Sequence, residues 1–253
     1  MSIHLKAYHQ YNISKTRGYL YKQEAKSQLL FRLFDILFSS IAIVLISPVL
    51  LLVSLILKLT NDDNIFYLQE RIGLNGKPFY LYKFTTMVKN SESMGSGTIT
   101  LKNDVRVFPF GKFLRKTKIN ELPQLFNILK GDMSLVGPRP LPIQRYRNYN
   151  EEVKRHINQV LPGLSGVGSI LFRDEESILN RVPNKDKVRF YDEVIAPYKG
   201  AVEIWYVNNL TLFLYFKVIF MTAFVVVFPD RKIDFSNIFK GLPEPSAKLK
   251  PYL

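Results

Sequence analysis

The sequence has no cysteine and little histidine among its 253 residues. Without cysteine there are no disulfides, zinc–thiolate sites or thiol nucleophiles. The three histidines, at positions 4, 9 and 156, are too few and too scattered for a multi-histidine metal site.

Acidic residues are the minority among the charges, with 21 Asp and Glu against 35 Lys and Arg, a formal net charge of +14. Such a balance favours anionic partners: nucleic acid, acidic lipid headgroups or phosphorylated substrates. No recognition-helix or RNA-binding motif is visible, and two long apolar segments argue against nucleic acid. The basic N-terminal tail, residues 1–28, is either solvated or lies on anionic headgroups.

The 22 residues from Ile36 to Leu57 contain no charged side chain. As a helix this segment is ~33 Å long, about one hydrocarbon thickness, and it begins too late and runs too long for a secretory signal. Pro48 predicts a kink, and Ser47 can bond to the carbonyls that proline leaves free. A kinked helix could cross the bilayer or return to the side from which it entered. Because basic residues flank the segment at both ends, we expect residues 29–60 to form a re-entrant membrane helix.

The following residues, 61–230, have the character of a soluble domain. Apolar and polar residues alternate over residues 65–87, on both sides of Asn75-Gly76, and this pattern predicts a β-hairpin. Residues 89–104 indicate a loop, and residues 146–160 a charged surface helix. The fold class expected is α+β, compact and mostly helical, with small hairpin elements.

Residues 110–140 are the densest in functional side chains. Apolar residues at 122, 125, 126 and 129 predict a helix over Glu121–Lys130 that Gly131 ends. Asn120 and Glu121 would then lie at a helix N-terminus, where free N–H groups favour phosphate. A plain N-cap would explain Asn120 equally.

Arg139 lies between Pro138 and Pro140, which stiffen the backbone around it. Its planar fork suits a phosphate or a base. The alternative is an ordinary Pro-rich connection with a solvated arginine.

The last apolar stretch, residues 204–228, contains Lys217 near its middle. A lysine at a bilayer centre costs ~2.5–3.5 kcal/mol. We therefore expect an interfacial helix in which Lys217 reaches the headgroups. The C-terminal tail, residues 231–253, is expected to be poorly ordered.

Several runs together resemble the bacterial sugar transferase family, the monotopic polyprenyl-phosphate phosphoglycosyl transferases. They are FRLFDILFSSIAIVLISPVLLL, YLYKFTTM, FGKFLRKTKINELPQLFNILKGDMSLVGPRP, PGLSG and WYVNNLTLFLYFKVIF, within roughly residues 28–228. The resemblance implies a re-entrant helix broken at Ser47-Pro48. It also implies transfer of a sugar 1-phosphate from a nucleotide sugar, usually of uridine, to undecaprenyl phosphate, with Mg²⁺, which initiates bacterial surface polysaccharide synthesis.

The resemblance implies a location on the cytoplasmic face of the bacterial inner membrane, with membrane lipid as a partner. The sequence leaves open whether the protein forms a homodimer. Glu121 matches the family's dyad Glu, as catalytic residue and metal ligand; Lys83, Arg115 and Arg139 match its substrate-binding cations.

The main departure is Asn120, which stands where the family has a nucleophilic Asp. An amide is a poor nucleophile and a weaker magnesium ligand. Smaller departures are Thr85, in place of Arg, and GVGSILFRDEE, in place of a Trp-Gln-Val type sequence. For an active enzyme, either Glu121 is the nucleophile or the lipid phosphate attacks directly. The alternative is a degenerate member that binds nucleotide sugars or acts as a scaffold.

Overall fold

The computed structural model describes residues 3–60, 64–89, 91, 104–183, 186–228, 231 and 233–252. Two antiparallel strands, β1 (Phe66–Ile72) and β2 (Pro78–Phe84), and two parallel ones, β3 (Ser134–Val136) and β4 (Gly163–Ser165), form two small sheets. The helices are α1 (Ile3–Thr60), α2 (Pro109–Lys116), α3 (Gln124–Lys130), α4 (Ile143–Asn148), α5 (Glu151–Ile157), α6 (Val167–Leu171), α7 (Glu175–Asn180), α8 (Lys187–Phe190), α9 (Ala196–Asn208), α10 (Leu212–Val227) and α11 (Phe235–Ile238). A mostly helical α+β fold is confirmed.

The predicted hairpin is also confirmed. Strands β1 and β2 pair from Phe66 with Phe84 to Ile72 with Pro78. Asn75 and Gly76 have φ angles of 57° and 71°, a left-handed turn that asparagine and glycine tolerate. Directly paired residues share a face of the hairpin, and the register therefore places Lys83 on the same face as Arg71.

Helix α1 has two apolar faces with different surroundings. Its inner face, which includes Leu50, Val53 and Leu57 at helical spacing, packs against Phe84 and Leu114 of the domain. The outer face is exposed, and its members are Leu33, Leu37, Ile41, Val44, Leu45, Leu51, Leu52, Leu55 and Leu59. Over Gln28–Thr60 the helix is long and apolar enough to cross a membrane, and little of it is buried. This exposure explains why no amphipathic pattern is visible in the sequence.

Two charged side chains fasten the start of the apolar segment to the domain. Arg32 donates to the carbonyls of Ile128 and Leu129 at the C-terminal end of α3, where free carbonyls favour a cation. Asp35 is buried, and its Oδ1 accepts hydrogen bonds from Ser134 Oγ at 3.0 Å, Leu135 N at 2.8 Å and the Tyr215 hydroxyl at 2.7 Å.

The Ser47-Pro48 pair lies within α1 and does not interrupt its helical assignment. Proline cannot donate to the carbonyl four residues before it, which is that of Val44. Ser47 Oγ donates to this same carbonyl at 2.8 Å. The expected serine compensation is thus confirmed, whereas a break at Ser47-Pro48 is not seen, and a re-entrant path stays a prediction.

The predicted single helix over 204–228 is wrong in its bounds, because α9 ends at Asn208 and α10 begins at Leu212. Thr211 caps the second helix, its Oγ1 accepting from Leu214 N at 3.1 Å. Lys217 does not extend to solvent as expected. It donates to the carbonyl of Ile238 and lies over the ring of Phe239.

The expectation of a poorly ordered C-terminus is wrong for residues 233–252. Phe239 and Leu249 are 1% and 0% exposed and belong to the main hydrophobic core. Their apolar side chains are separated by polar residues and prolines, which hid this packing from sequence reasoning. The charged helix expected over 146–160 is two helices, α4 and α5, separated by Asn150, whose side chain caps the second. The loop expected at 89–104 lies largely outside the described residues.

The Asp35 contacts generate a prediction about stability. Replacing Asp35 by Ala leaves three buried donors without their acceptor, so the free energy of unfolding in detergent should fall by about 2–4 kcal/mol. Chemical unfolding monitored by circular dichroism measures this change. Exposed Asp192 serves as the matched control, since Asp192→Ala should change stability by less than about 0.5 kcal/mol. Equal effects of the two substitutions would contradict the assigned role of Asp35.

Candidate active site

Asn120 and Glu121 lie in a 3-10 turn, Ile119–Glu121, that precedes α3. The prediction that they begin the helix is wrong, because Pro123 takes the N-cap position of α3. The Glu121 N–H donates to the Lys118 carbonyl at 3.0 Å and is not free for an anion. Lys118 has a left-handed φ of 61° that turns the chain into this position. The predicted helix end at Gly131, with φ 96°, is confirmed.

Asn127 joins α3 to the hairpin and thereby places Lys83. Its side chain accepts from Tyr82 N at 2.9 Å and donates to the Tyr80 carbonyl at 2.7 Å. It is fully buried and extends the hydrogen bonding of β2 onto the helix. Lys83, the next residue of that strand, consequently faces the 3-10 turn. The sequence offered no sign of this role, because Asn127 reads as an ordinary polar helix residue.

Three predicted residues meet at one carboxylate oxygen. Lys83 Nζ lies 3.3 Å from Glu121 Oε1, and Arg139 Nη2 lies 3.6 Å from the same atom. The side chains of Lys83 and Glu121 are 15% and 19% exposed, whereas Arg139 is 47% exposed. The cluster is thus largely withdrawn from water but open on the side of Arg139.

Arg71 is a fourth member that sequence reasoning did not include in the site. Its Nη1 donates to the Pro140 carbonyl at 3.2 Å, and its Nε is buried with no hydrogen-bond partner among the described residues. Burial, and next the Arg139 charge, lower the pKa of Arg71 to about 10. The hairpin register, which puts Arg71 and Lys83 on one face, was the signal that could have identified it.

Mutual electrostatics keep Glu121 ionised. Burial alone would raise its pKa, but the charges of Lys83, Arg139 and Lys118 outweigh burial and hold the pKa far below its usual range. Burial lowers the pKa of Lys83 to about 8, although Glu121 opposes this effect. Formally, Lys83, Arg139 and Arg71 exceed the single carboxylate by two positive charges. Such a site suits a multiply charged anion.

The Pro-Arg-Pro segment is held through its backbone. The Pro138 carbonyl accepts from Gly163 N at 2.8 Å, and Gly137 N donates to the Ser165 carbonyl at 2.9 Å. Pro138 and Pro140 are buried, while Arg139 between them is exposed. These backbone hydrogen bonds are consistent with the predicted stiffness of the Pro-Arg-Pro segment. The parallel pairing of β3 with β4 that supplies them was not expected from the sequence.

Asn120 and Arg115 lie on the same cavity as the cluster. Asn120 is 8% exposed, and its Oδ1 is buried without a hydrogen-bond partner in the described part of the chain. Arg115 Nε donates to Thr86 Oγ1 at 2.8 Å. Thr85, at the position of a family arginine, is buried and donates to the Asn64 carbonyl at 2.5 Å, a structural contact.

The cavity has a volume of about 2420 Å³ and connects two kinds of surface. One part is the cation cluster. The other is apolar and includes Ala42 and Ile46 of α1 and Phe216 and Ile219 of α10. The Phe34, Phe38 and Phe216 rings join the two helices there, with Phe34 and Phe216 centroids 4.9 Å apart. Ser47 and Pro48 do not line this cavity.

Few side chains at this site could coordinate a divalent cation. The described residues contain no group of three or more His, Cys, Asp or Glu side chains that could hold a metal. The Glu121 carboxylate and the unpartnered Asn120 Oδ1 are two adjacent hard oxygen donors, which fit Mg²⁺ when substrate phosphates and water complete its shell.

Comparison with known proteins gives consistent matches. The family model described as bacterial sugar transferase matches residues 26–229. A UDP-glucose:undecaprenyl-phosphate glucose-1-phosphate transferase of Klebsiella pneumoniae is 35% identical over 198 residues, 76% of this chain and 39% of that protein. An undecaprenyl-phosphate galactose phosphotransferase of Salmonella typhimurium is 35% identical over 81% of this chain and 42% of its own length.

A shorter relative is covered more fully. The exopolysaccharide production protein ExoY of Rhizobium meliloti is 33% identical over 76% of this chain and 82% of its own length. The chain thus spans about two fifths of the first two relatives and most of this third. Because the family model covers well over half of the sequence, the chain belongs to the bacterial sugar transferase family.

Proposed function

We propose that this protein transfers a sugar 1-phosphate from a nucleotide sugar, with uridine as the expected nucleoside, to undecaprenyl phosphate. Such a step initiates bacterial surface polysaccharide synthesis. The observation that carries the proposal is the Lys83–Glu121–Arg139 cluster in a cavity that continues to an apolar surface. The names of the two relatives above describe this reaction type for those proteins.

The donor's diphosphate would bind at the cations. Arg139 offers a planar fork from a backbone that is already fixed, so little conformational freedom is lost on binding. Lys83 and Arg71 add charge from the hairpin, and Arg115 lies on the same cavity. The excess positive charge would neutralise the diphosphate and the charge that develops on the leaving nucleoside monophosphate.

The acceptor would reach the cluster from the membrane. The exposed apolar faces of α1 and α10, with Phe213 and Phe220 at 77% and 80% exposure, lie beside the apolar part of the cavity. The polyprenyl chain could therefore stay in the lipid while its phosphate reaches the cation cluster.

The contacts of α1 support a monotopic, re-entrant arrangement. Arg32 and Asp35 at one end of the apolar segment and Leu57 at the other all contact the same domain. These positions are ~33 Å apart along a straight helix. A helix perpendicular to the bilayer would carry one end out on the far side, away from a domain confined to the near side. We therefore propose that both ends lie on one side of the membrane. The family resemblance implies the cytoplasmic face of the inner membrane, and we propose that α10 lies at the interface.

The chemistry favours direct displacement over a covalent enzyme intermediate. Asn120 is a poor nucleophile, and the Glu121 carboxylate is weakly basic and held by Lys83 and Arg139. An oxygen of the lipid phosphate would form a bond to the phosphorus next to the sugar, while the bond from that phosphorus to the bridging oxygen breaks. Nucleoside monophosphate leaves with the bond's electrons. The cations stabilise both phosphate groups in this step.

Magnesium would be held by Glu121 with the Asn120 amide oxygen, and when bound it would supply further positive charge to the diphosphate. Replacing Glu121 by Gln would weaken such binding and leave Lys83 and Arg139 without their counter-charge.

Isotope exchange tests the direct route. In membranes that contain the full chain but lack polyprenyl phosphate, labelled UMP should not exchange into a UDP-sugar, because no covalent intermediate forms. With acceptor present and a UDP-sugar labelled in its sugar as donor, labelled lipid product should appear without a labelled protein band. Asn120→Asp should introduce acceptor-independent exchange, since it restores a carboxylate beside Glu121.

Two results would oppose this scheme. Exchange by the unaltered chain without acceptor would overturn direct displacement. If no nucleotide sugar gave a lipid-linked product, the non-catalytic alternative would be favoured. The observation that supports this alternative is the amide at Asn120.

Binding of the diphosphate depends on the charge of Lys83. Lys83→Met should weaken UDP binding by about 10- to 100-fold, the usual effect of losing one charged hydrogen bond. Lys83→Arg should retain most of the affinity. Lys130→Met is the matched control, because Lys130 is 60% exposed and pairs with Asp132. Titration calorimetry measures the UDP affinity of the unaltered chain and of the three variants. An unchanged affinity in Lys83→Met would argue against this anion site.

The absence of cysteine makes the membrane path easy to test. Exposed Gln28 and Lys58 flank the apolar segment, and each can be replaced singly by Cys. In intact spheroplasts a membrane-impermeant maleimide should label neither variant, and after lysis it should label both. Labelling of one variant in intact spheroplasts would indicate a span and refute the re-entrant path.

A further inference from the structure

Two buried polar atoms in the cavity have no hydrogen-bond partner among the residues that the structure describes, and the diphosphate site does not account for them. They are Ser169 Oγ on α6 and Glu203 Oε2 on α9. Both residues line the same cavity as Glu121 and Arg139. Buried polar atoms are nearly always hydrogen-bonded, so two orphans on one cavity indicate a ligand that supplies the missing partners.

Glu203 is held in place by its surroundings. It is 6% exposed, and the backbone N–H of Arg139 acts to lower the pKa of its carboxyl group. A Cβ at Gly168 would lie 2.5 Å from Glu203 Oε1, so a side chain at this position would displace the carboxylate from its present place. Gly168, Ser169 and Glu203 all line the cavity.

An internal ion pair does not account for Glu203. Lys199, one turn earlier on α9, forms its ion pair with Glu175 and lies over the Phe172 ring. Burial raises the pKa of Glu203 to about 7, although Lys199 and the Arg139 N–H oppose the shift. Near neutral pH the carboxyl group can therefore both accept and donate a hydrogen bond.

We infer that Ser169 and Glu203 form a second subsite, which binds the hydroxyl groups of a ring attached to the donor's diphosphate. A ring hydroxyl accepts one hydrogen bond and donates another, and so can satisfy both orphan atoms. The donor has two such rings, its hexose and its ribose. This inference rests on the proposed function, because it needs a diphosphate at the cation cluster.

Arg139 connects the two subsites. Its guanidinium lies 3.6 Å from Glu121 Oε1, and its backbone N–H acts on the pKa of the Glu203 carboxyl group. Arg139, Ser169 and Glu203 line the same cavity. A ring joined to a phosphate at Arg139 would therefore occupy a cavity that Ser169 and Glu203 also line.

Titration calorimetry of the full chain in nanodiscs tests the subsite with UDP-glucose, UDP-galactose, UDP and UMP as probes. Glu203→Gln and Ser169→Ala should each weaken binding of the probes that carry the recognised ring by about tenfold. If the hexose is recognised, only the two sugar nucleotides lose affinity. If the ribose is recognised, all four probes lose affinity equally.

Exposed Glu244, which pairs with Lys250, provides a control as Glu244→Gln, and Ser169→Ala guards against a folding defect of Glu203→Gln. Unchanged binding of every probe by both variants would overturn the subsite and leave ordered water as the occupant. If the unaltered chain bound no probe at all, the proposed function would fail, and the subsite with it.

Discussion

The ion pairing at Glu121 is the interaction on which the site depends. One carboxylate oxygen faces Lys83 from the hairpin and Arg139 from the Pro-Arg-Pro segment. Without the carboxylate, these cations and Arg71 would repel one another in a partly buried cluster. Glu121 therefore allows positive charge to accumulate where a diphosphate would bind. Its own ionisation is maintained by the same neighbours, so neither side of the cluster is independent of the other.

Helix α1 and the site are connected through buried hydrogen bonds. Asp35 of α1 accepts from the backbone of Leu135, which belongs to β3, and β3 leads directly into the Pro-Arg-Pro segment. Arg32 holds the end of α3, whose Asn127 in turn fixes the hairpin that carries Lys83. The helix that we propose to lie in the lipid is therefore tied by a few buried hydrogen bonds to both elements that supply cations.

Asn120 limits the chemistry that this site can perform. Its Oδ1 has no partner in the described part of the chain, so the position stays open to a ligand. A carboxylate there would offer a nucleophile, whereas an amide offers only a neutral oxygen. The cations and the apolar access are independent of this residue, which is why we propose a reaction that uses them without a covalent intermediate.

The sequence by itself determined the hairpin, the apolar α1, the end of α3 at Gly131 and the identities of Lys83, Glu121 and Arg139. These features depend on local patterns: alternation, a run without charge, a glycine with positive φ, and motifs that a family resemblance makes recognisable. Only the tertiary structure decided that Arg71 joins the cluster, that Lys217 turns inward to Ile238, that residues 233–252 pack in the core, and that Ser169 and Glu203 face one cavity. Each of these depends on contacts between residues far apart in the chain, whose partners are set by packing and burial and leave no periodic pattern in the sequence.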